Sequence, residues 1–444
     1  MIMGTKVKVV ESCMVPPSEE TPRKGLWLSP VDLMQHNLKR GHTPTVYLYR
    51  SGSESGTDAD VDFFDVARLK AAMAKALVAF YPLAGRLGMD GDGRAEIDCA
   101  GQGVLFVVAR SDLTVDDLRN FQPSPELRRL FVPRVEDHSP PLMCGIQVNF
   151  LKCGGVALGT ALHHVAIDAM SAFHFFQTWS AFSREGDGAA AALELPCHDR
   201  TLLRARSPPV VHPDAHLTMF SPKQPSSLSE TPPGAVVNEI FVISKDQVAA
   251  LKRACTGGDG GSVSTFCAVS ALVWRCLCAA RRLPSDATMR LTFPANVRRS
   301  LRPPLPDTYF GNGLILLGTT GKVGDIVDSE ELASVAGRIK GVIRRMDDEL
   351  VRSWMDWLEM TGTETALPPG SMPETDLRVT SWLGMPMYDA DFGWGKPLVM
   401  HRAVQPRAGF AYLMNGVGGS VRILMSTEPG IVDDFQRLLY ANLI

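Results

Sequence analysis

His163-His164-Val165-Ala166-Ile167-Asp168 marks the point where one periodicity gives way to another. Upstream, Val156, Leu158, Thr160, Leu162 and His164 alternate with Ala157, Gly159, Ala161 and His163, the period of a strand. Downstream, Met170, Phe173, His174, Trp179 and Phe182 recur at helical spacing, with Asp168 or Ser171 placed to cap the helix. The two histidines therefore end a strand, and the Asp lies in the turn that enters a helix. An imidazole at such a rim can face a cleft and move protons near neutral pH. The chain has ten histidines, and only His164 has an Asp four residues later. A structural strand-end histidine beside a capping Asp fits the same spacing, so spacing alone leaves both readings open.

At 444 residues the chain exceeds one ordinary core, and two domains are expected. Hydrophobic residues make up 45% and charged residues 21%, the balance of a soluble globular chain. A net charge of -3 without a dense basic block argues against a general polyanion binder, so no nucleic acid partner is expected. Arg298, Arg299 and Arg302 form a local cluster that could meet one phosphorylated ligand. The N-terminal stretch has no apolar core of signal-peptide length, and the best apolar run, around Phe266 to Trp274, stops at Arg275. A cytoplasmic chain with no membrane partner is expected. The nine cysteines are scattered and include no CxxC pair, which predicts free thiols. His212 and His216 have metal-like HxxxH spacing, but flanking prolines argue against the helix that would align them, so no metal is expected.

The elements around the histidine stretch follow from pattern. Residues 5–13 alternate as an opening strand, and His42 to Arg50 forms another, with Thr43, Thr45, Tyr47 and Tyr49 on one face. Val66, Leu69, Met73, Leu77 and Phe80 make a helical stripe ended by Pro82, and Asp90-Gly91-Asp92-Gly93 is a hairpin turn. Ile146, Val148 and Phe150 form the strand that Gly154-Gly155 turns into the histidine strand. From 196 to 234 the chain is rich in Pro and Ser and loses periodicity, which reads as a crossover between domains. Beyond it the patterns predict a strand near 236–243, helices over 246–254, 264–283 and 331–360, strands near 290–293, 378–382, 409–413 and 420–425, and a closing helix near 433–443. Gly257 to Gly261 lacks the Lys-Ser/Thr of a phosphate loop and reads as a linker.

Seven stretches, taken in order, carry a resemblance. They are His-Thr-Pro-Thr-Val-Tyr (42–47), Phe-Tyr-Pro-Leu-Ala-Gly-Arg-Leu (80–87), His-His-Val-Ala-Ile-Asp (163–168), Asp-Arg-Thr-Leu-Leu-Arg-Ala-Arg (199–206), Tyr-Phe-Gly-Asn (309–312), Thr-Ser-Trp (380–382) and Asp-Phe-Gly-Trp-Gly (391–395). Over essentially its whole length the chain resembles the plant CoA-dependent acyltransferases of the BAHD family, and within it the hydroxycinnamoyl-CoA transferases. The resemblance implies an α/β fold with two similar-sized domains, chloramphenicol-acetyltransferase-like, each with a mixed sheet flanked by helices. They would be residues 1–195, carrying HHxxxD, and 235–444, carrying DFGWG, joined by the 196–234 crossover, with an active-site channel between them. Acyl-CoA would be a co-substrate and no cofactor would be needed; a monomer is expected.

The same resemblance implies roles. His164 would act as general base while a p-coumaroyl, caffeoyl or feruloyl group passes from CoA to a hydroxyl or amine acceptor. Asp168 would turn away from His164 and pair with Arg298, as structural support. Asp391, the second motif acid, would lock a Gly-flanked turn rather than move protons. Thr43, Thr45 and Tyr47 would line the substrate pocket, Ser264 and Thr265 would lie near CoA, and Thr380 and Trp382 would face the oxyanion. Two positions depart from the family pattern. Ala169 replaces the usual Gly, and the stretch 366–373 lacks the arginine that grips the acceptor carboxylate in shikimate-using members, with no Lys or Arg before Arg378. A neutral polyol, an aromatic alcohol or an amine is therefore expected as acceptor ahead of shikimate. Two rival functions remain: a condensation-type acyltransferase served by a carrier protein, and a non-catalytic binding protein of the same fold. Turnover of free acyl-CoA separates both from the main reading.

Overall fold

The computed structural model describes residues 7–34, 41–51, 63–119, 122–212, 235–256, 261–361 and 372–443. Two six-stranded mixed sheets dominate. The first runs, edge to edge, Val7–Val15, Val104–Ser111, Cys144–Leu151, Val156–His163, His42–Tyr49 and Val399–Arg402. Its one parallel pair is Val104–Ser111 with Cys144–Leu151. The strand Val156–His163 sits between two antiparallel neighbours and is buried along its length. Gly159 is required there, since a Cβ would stand 1.7 Å from the Phe131 carbonyl oxygen. Helices Val66–Ala79 and Ala169–Glu185 pack together beside this sheet, and Trp179 donates its indole N–H to the Leu69 carbonyl at 2.9 Å.

The second sheet runs Leu314–Lys322, Thr288–Asn296, Asp376–Ser381, Phe410–Asn415, Val421–Thr427 and Val237–Ile243, parallel at its centre and antiparallel outside. The apolar helix Thr265–Arg281 belongs to its core, with Leu332–Arg344 and Val432–Ala441 against it. The expected single helix over 331–360 is two: Leu332–Arg344 and Asp348–Thr361. Asp347 makes the break, its carboxylate accepting from the Leu350 N–H at 2.9 Å as an N-cap does.

Sheet and chain do not divide at the same place. The strand Val399–Arg402 leaves the C-terminal half and pairs with His42–Tyr49 at the edge of the first sheet. The preceding turn follows it: Phe392 lies 4.6 Å from Trp179, and Trp394 stacks 5.3 Å from Phe64. Much of the 196–234 crossover, the 257–260 glycines, His216 of the HxxxH pair and the proline-rich stretch up to 371 lie outside the described residues.

Candidate active site

Between the two sheets lies a cavity of about 360 Å³, and His164 lines it. The turn after the strand explains how the ring gets there. The His164 N–H donates to Gly41 O at 2.9 Å, and Ala166 N–H closes a turn onto His163 O at 3.0 Å. Asp168 then caps the helix Ala169–Glu185 by accepting from Ser171 N–H at 3.0 Å. His163 points elsewhere: it is fully buried and packs edge-on against the His42 ring at 4.6 Å.

Asn312 orients the His164 ring. Its amide Nδ2 donates to the His164 carbonyl at 2.8 Å and to Asp32 Oδ1 at 2.9 Å, so its Oδ1 is the atom left for the ring. That oxygen lies 3.1 Å from His164 Nδ1, which must therefore carry the proton. Nε2 is left as the basic nitrogen and makes no hydrogen bond among the described residues. Behind Asn312, Asp32 is held by Arg200 at 2.9 Å and by the Ser29 hydroxyl at 2.7 Å. Arg200 also donates to Val165 O and Ala166 O, bracing the histidine turn from below. Burial pushes the His164 pKa below its ordinary value, and the nearby Arg402 charge acts in the same direction, against Asp168 and the Asn312 bond. The ring is thus neutral at pH 7, as a general base must be.

Asp168 forms a two-pronged ion pair with Arg298, Nη1 to Oδ2 at 2.7 Å and Nη2 to Oδ1 at 3.1 Å, both side chains buried. With the capping Ser171 N–H, the Gly313 N–H at 3.0 Å brings the donors to this carboxylate to four. Burial alone would raise the Asp168 carboxyl, but Arg298 and these donors hold it below the usual range. Arg298 is therefore spent on Asp168, while Arg302 donates to the Arg299 and Leu301 carbonyls. The three arginines do not form the phosphate cluster that their spacing suggested.

Thr43, Thr45, Tyr47, Thr380 and Trp382 all line the cavity with His164 and Asp168. Asp391 does not. Its Oδ1 accepts from the Gly393 and Gly395 N–H groups, each at 2.9 Å, and both glycines have positive φ (105° and 99°). Ser264 caps the helix Thr265–Arg281. Thr265 lines a second, open cavity of about 400 Å³, with Lys245, Lys252 and Arg253 on its wall. Among the described residues no group of three His, Cys, Asp or Glu is placed to hold a metal ion. Sequence reading missed Asn312, Asp32 and Arg200 as site residues, although Asn312 and Arg200 lie inside two of the quoted stretches.

Two mixed sheets meeting over a cavity lined by an oriented imidazole define a two-sheet α/β protein with a pocket for a small-molecule reaction. Comparison with known proteins agrees. A family model described as the Transferase family matches residues 5–438. The chain is 44% identical to putrescine hydroxycinnamoyltransferase 1 of Oryza sativa subsp. japonica, over 98% of this chain and 99% of that protein. It is 39% identical to shikimate O-hydroxycinnamoyltransferase of Nicotiana tabacum over the same shares. The crystal structure of vinorine synthase, 24% identical, matches the fold over 99% of this chain and 98% of that one, with a TM-score of 0.73. The chain belongs to the Transferase family, the BAHD acyl-CoA-dependent acyltransferases.

Proposed function

We propose that this acyltransferase moves a hydroxycinnamoyl group from CoA to a hydroxyl or amine acceptor, with His164 Nε2 as the base. The observation that carries the base assignment is the Asn312 bond, which protonates Nδ1 and leaves Nε2 unprotonated in the cavity. As the acceptor oxygen or nitrogen attacks the thioester carbonyl, its proton passes to Nε2. The carbonyl π electrons become an oxyanion, for which Thr380 and Trp382 on the cavity wall are the candidate donors. When the intermediate collapses the C–S bond breaks, and the CoA thiolate takes the proton back from Nε2. Because the thioester is already activated, no covalent enzyme intermediate is required. Thr43, Thr45 and Tyr47 line the substrate side. The basic cavity beside Ser264 and Thr265, with Lys245, Lys252 and Arg253, matches the phosphates of CoA in charge. The aromatic donor rests on the named relatives and on apolar walls such as Phe173 and Phe176.

The test is His164→Ala assayed with p-coumaroyl-CoA and a panel of acceptors. Turnover should fall by about 10²–10⁴, the usual worth of general base help, while thioester binding by titration stays near wild type. Turnover near wild type would remove His164 from the mechanism. Faster use of acetyl-CoA than of p-coumaroyl-, caffeoyl- or feruloyl-CoA would overturn the donor assignment.

A further inference from the structure

The central cavity contains two guanidinium groups that the reaction just described does not use. Arg378 comes from the strand Asp376–Ser381 in the second sheet and Arg402 from Val399–Arg402 in the first, and both line the cavity with His164. They sit over neighbouring rings of one strand. Arg378 lies 5.6 Å from the Phe410 ring centre and Arg402 lies 4.8 Å from that of Tyr412. Residues two apart on a strand face the same side with Cα atoms roughly 7 Å apart, so the two cations flank one small space.

Neither cation has a carboxylate partner among the described residues. Two acids in the neighbourhood are already engaged: Asp376, whose charge acts on Arg378, is ion-paired with Arg290, and Asp168, on the same cavity wall, is held by Arg298. Arg378 reaches only the Thr292 hydroxyl, from Nε at 3.5 Å, and Arg402 Nε is buried without an acceptor. Burial pulls the Arg378 pKa down to about 10, with Tyr412 and Asp376 opposing and the Arg290 and Arg407 charges reinforcing it, so it remains a cation at pH 7. Both guanidiniums are part-exposed on the cavity wall and neither is paired with a carboxylate of its own among the described residues, so a ligand that displaces water there can supply the anion.

We propose that Arg378 and Arg402 form an acceptor subsite that takes a carboxylate, so that the favoured acceptor is a hydroxyl or amino compound bearing an acid group. The proposal rests on the acyl-transfer reading above and names its acceptor class. It replaces the neutral acceptor expected from the missing loop arginine: the loop lacks the cation, but two strands provide it. It also argues against a diamine acceptor for this chain, because a diamine carries two positive charges into a cavity that already holds two. The CoA phosphates are the other possible source of an anion. Their charge is met by the separate basic cavity at Lys245, Lys252 and Arg253. Arg402, by contrast, stands opposite Thr45 in the strand pairing and is close enough to His164 to lower its basicity, which places it at the reacting end. The phenol of the acyl group is neutral at pH 7 and needs no cation.

The experiment is a set of matched acceptors with p-coumaroyl-CoA, read by product mass and rate. Shikimate is paired with its methyl ester, and 2-aminobenzoate with 2-aminobenzamide; putrescine and glycerol complete the set. The wild type should prefer the acid of the better-used pair by about 10- to 100-fold in kcat/KM, the range for a charged hydrogen-bonding partner. Arg402→Gln should erase that preference, mainly through acceptor KM, read as the ratio of acid to neutral partner within the same variant so that any change in His164 basicity cancels. Arg402→Lys should restore part of it, because charge survives without the planar fork. Arg378→Gln should act likewise; if it fails to fold, the Arg402 pair of variants decides alone. Repeating the assay with a p-coumaroyl thioester of N-acetylcysteamine, which has no phosphate, separates the two anion sources. An Arg402→Gln defect that appears as a raised KM for p-coumaroyl-CoA and vanishes with the short thioester would assign the cations to CoA and overturn the proposal. Putrescine or a neutral acceptor used ahead of every acid would also overturn it. Failure of every acceptor in the wild type would instead overturn acyl transfer itself.

Discussion

The site turns on one imidazole whose two nitrogens are made different by a single amide. Because Asn312 spends its Nδ2 on a carbonyl and a carboxylate, only its oxygen can face the ring, and Nδ1 must donate. Replacing it by Leu removes that acceptor and lets the tautomers mix. We expect Asn312→Leu to lower kcat at least about tenfold with little change in the KM of the thioester, and imidazole ¹⁵N shifts should report the lost tautomer. The pH profile follows from the same ring. A base must be unprotonated, and burial holds the His164 pKa below 6.5. The wild-type kcat/KM should therefore be flat through neutrality and fall only as pH drops through that lowered value. Asp168 and the Asn312 bond favour the charged ring and Arg402 opposes it, so removing the Arg402 charge should move the acid limb upward. An acid limb above 6.5 in the wild type would contradict this account. None of this orientation was legible beforehand. Asn312 lies 148 residues from His164 and 280 from Asp32, and no local pattern records contacts that long.

At the scale of elements, legibility followed the alternation of residue types along a segment rather than its burial. His42–Tyr49 and Val156–His163 were readable because polar threonines or small residues alternate with larger apolar ones. Val104–Ser111 is a near-continuous apolar run and Leu314–Lys322 opens with one over Leu314 to Leu317, which does not distinguish a buried strand from other core segments. Val399–Arg402 is four residues long and crosses to the other sheet, so the place of Arg402 in the cavity was invisible. The Asp391 turn shows the opposite case, where local chemistry is enough. Two glycines at positive φ and a carboxylate reaching their N–H groups make a self-contained lock, with Phe392 driven into the aromatic cluster. The bonds need an oxygen acceptor, not a charge. Asp391→Asn should therefore keep near wild-type turnover, while Asp391→Ala should lose stability by about 1–3 kcal/mol, seen as a lower Tm. Loss of catalysis in the Asn variant without loss of Tm would mean that Asp391 moves a proton after all.

Across the whole molecule, the two halves are joined by buried polar bridges rather than by apolar contact alone. Asp168 comes from the first half and Arg298 from the second, and Asn312 of the second half reaches back to Asp32 and His164 of the first. The same bridges that fix the active-site turn therefore fix the relation between the sheets. Removing one partner of a buried pair leaves an uncompensated charge, which typically costs about 3–5 kcal/mol. Arg298→Met should lower the unfolding free energy by that order and reduce turnover with it. The sign of its pH dependence is set by Asp168. In the wild type the folded pKa lies below the unfolded value of about 3.9, so the pair's contribution is full above that value and fades as pH falls through the folded one. In Arg298→Met burial acts unopposed by the guanidinium and the carboxyl pKa rises, so the variant relieves its buried charge by taking a proton at higher pH. The gap in denaturant stability between the two proteins should thus be widest near neutrality and narrow on acidification. A gap independent of pH would mean that Arg298 contributes packing and carbonyl bonds, and that its charge does not hold the halves together.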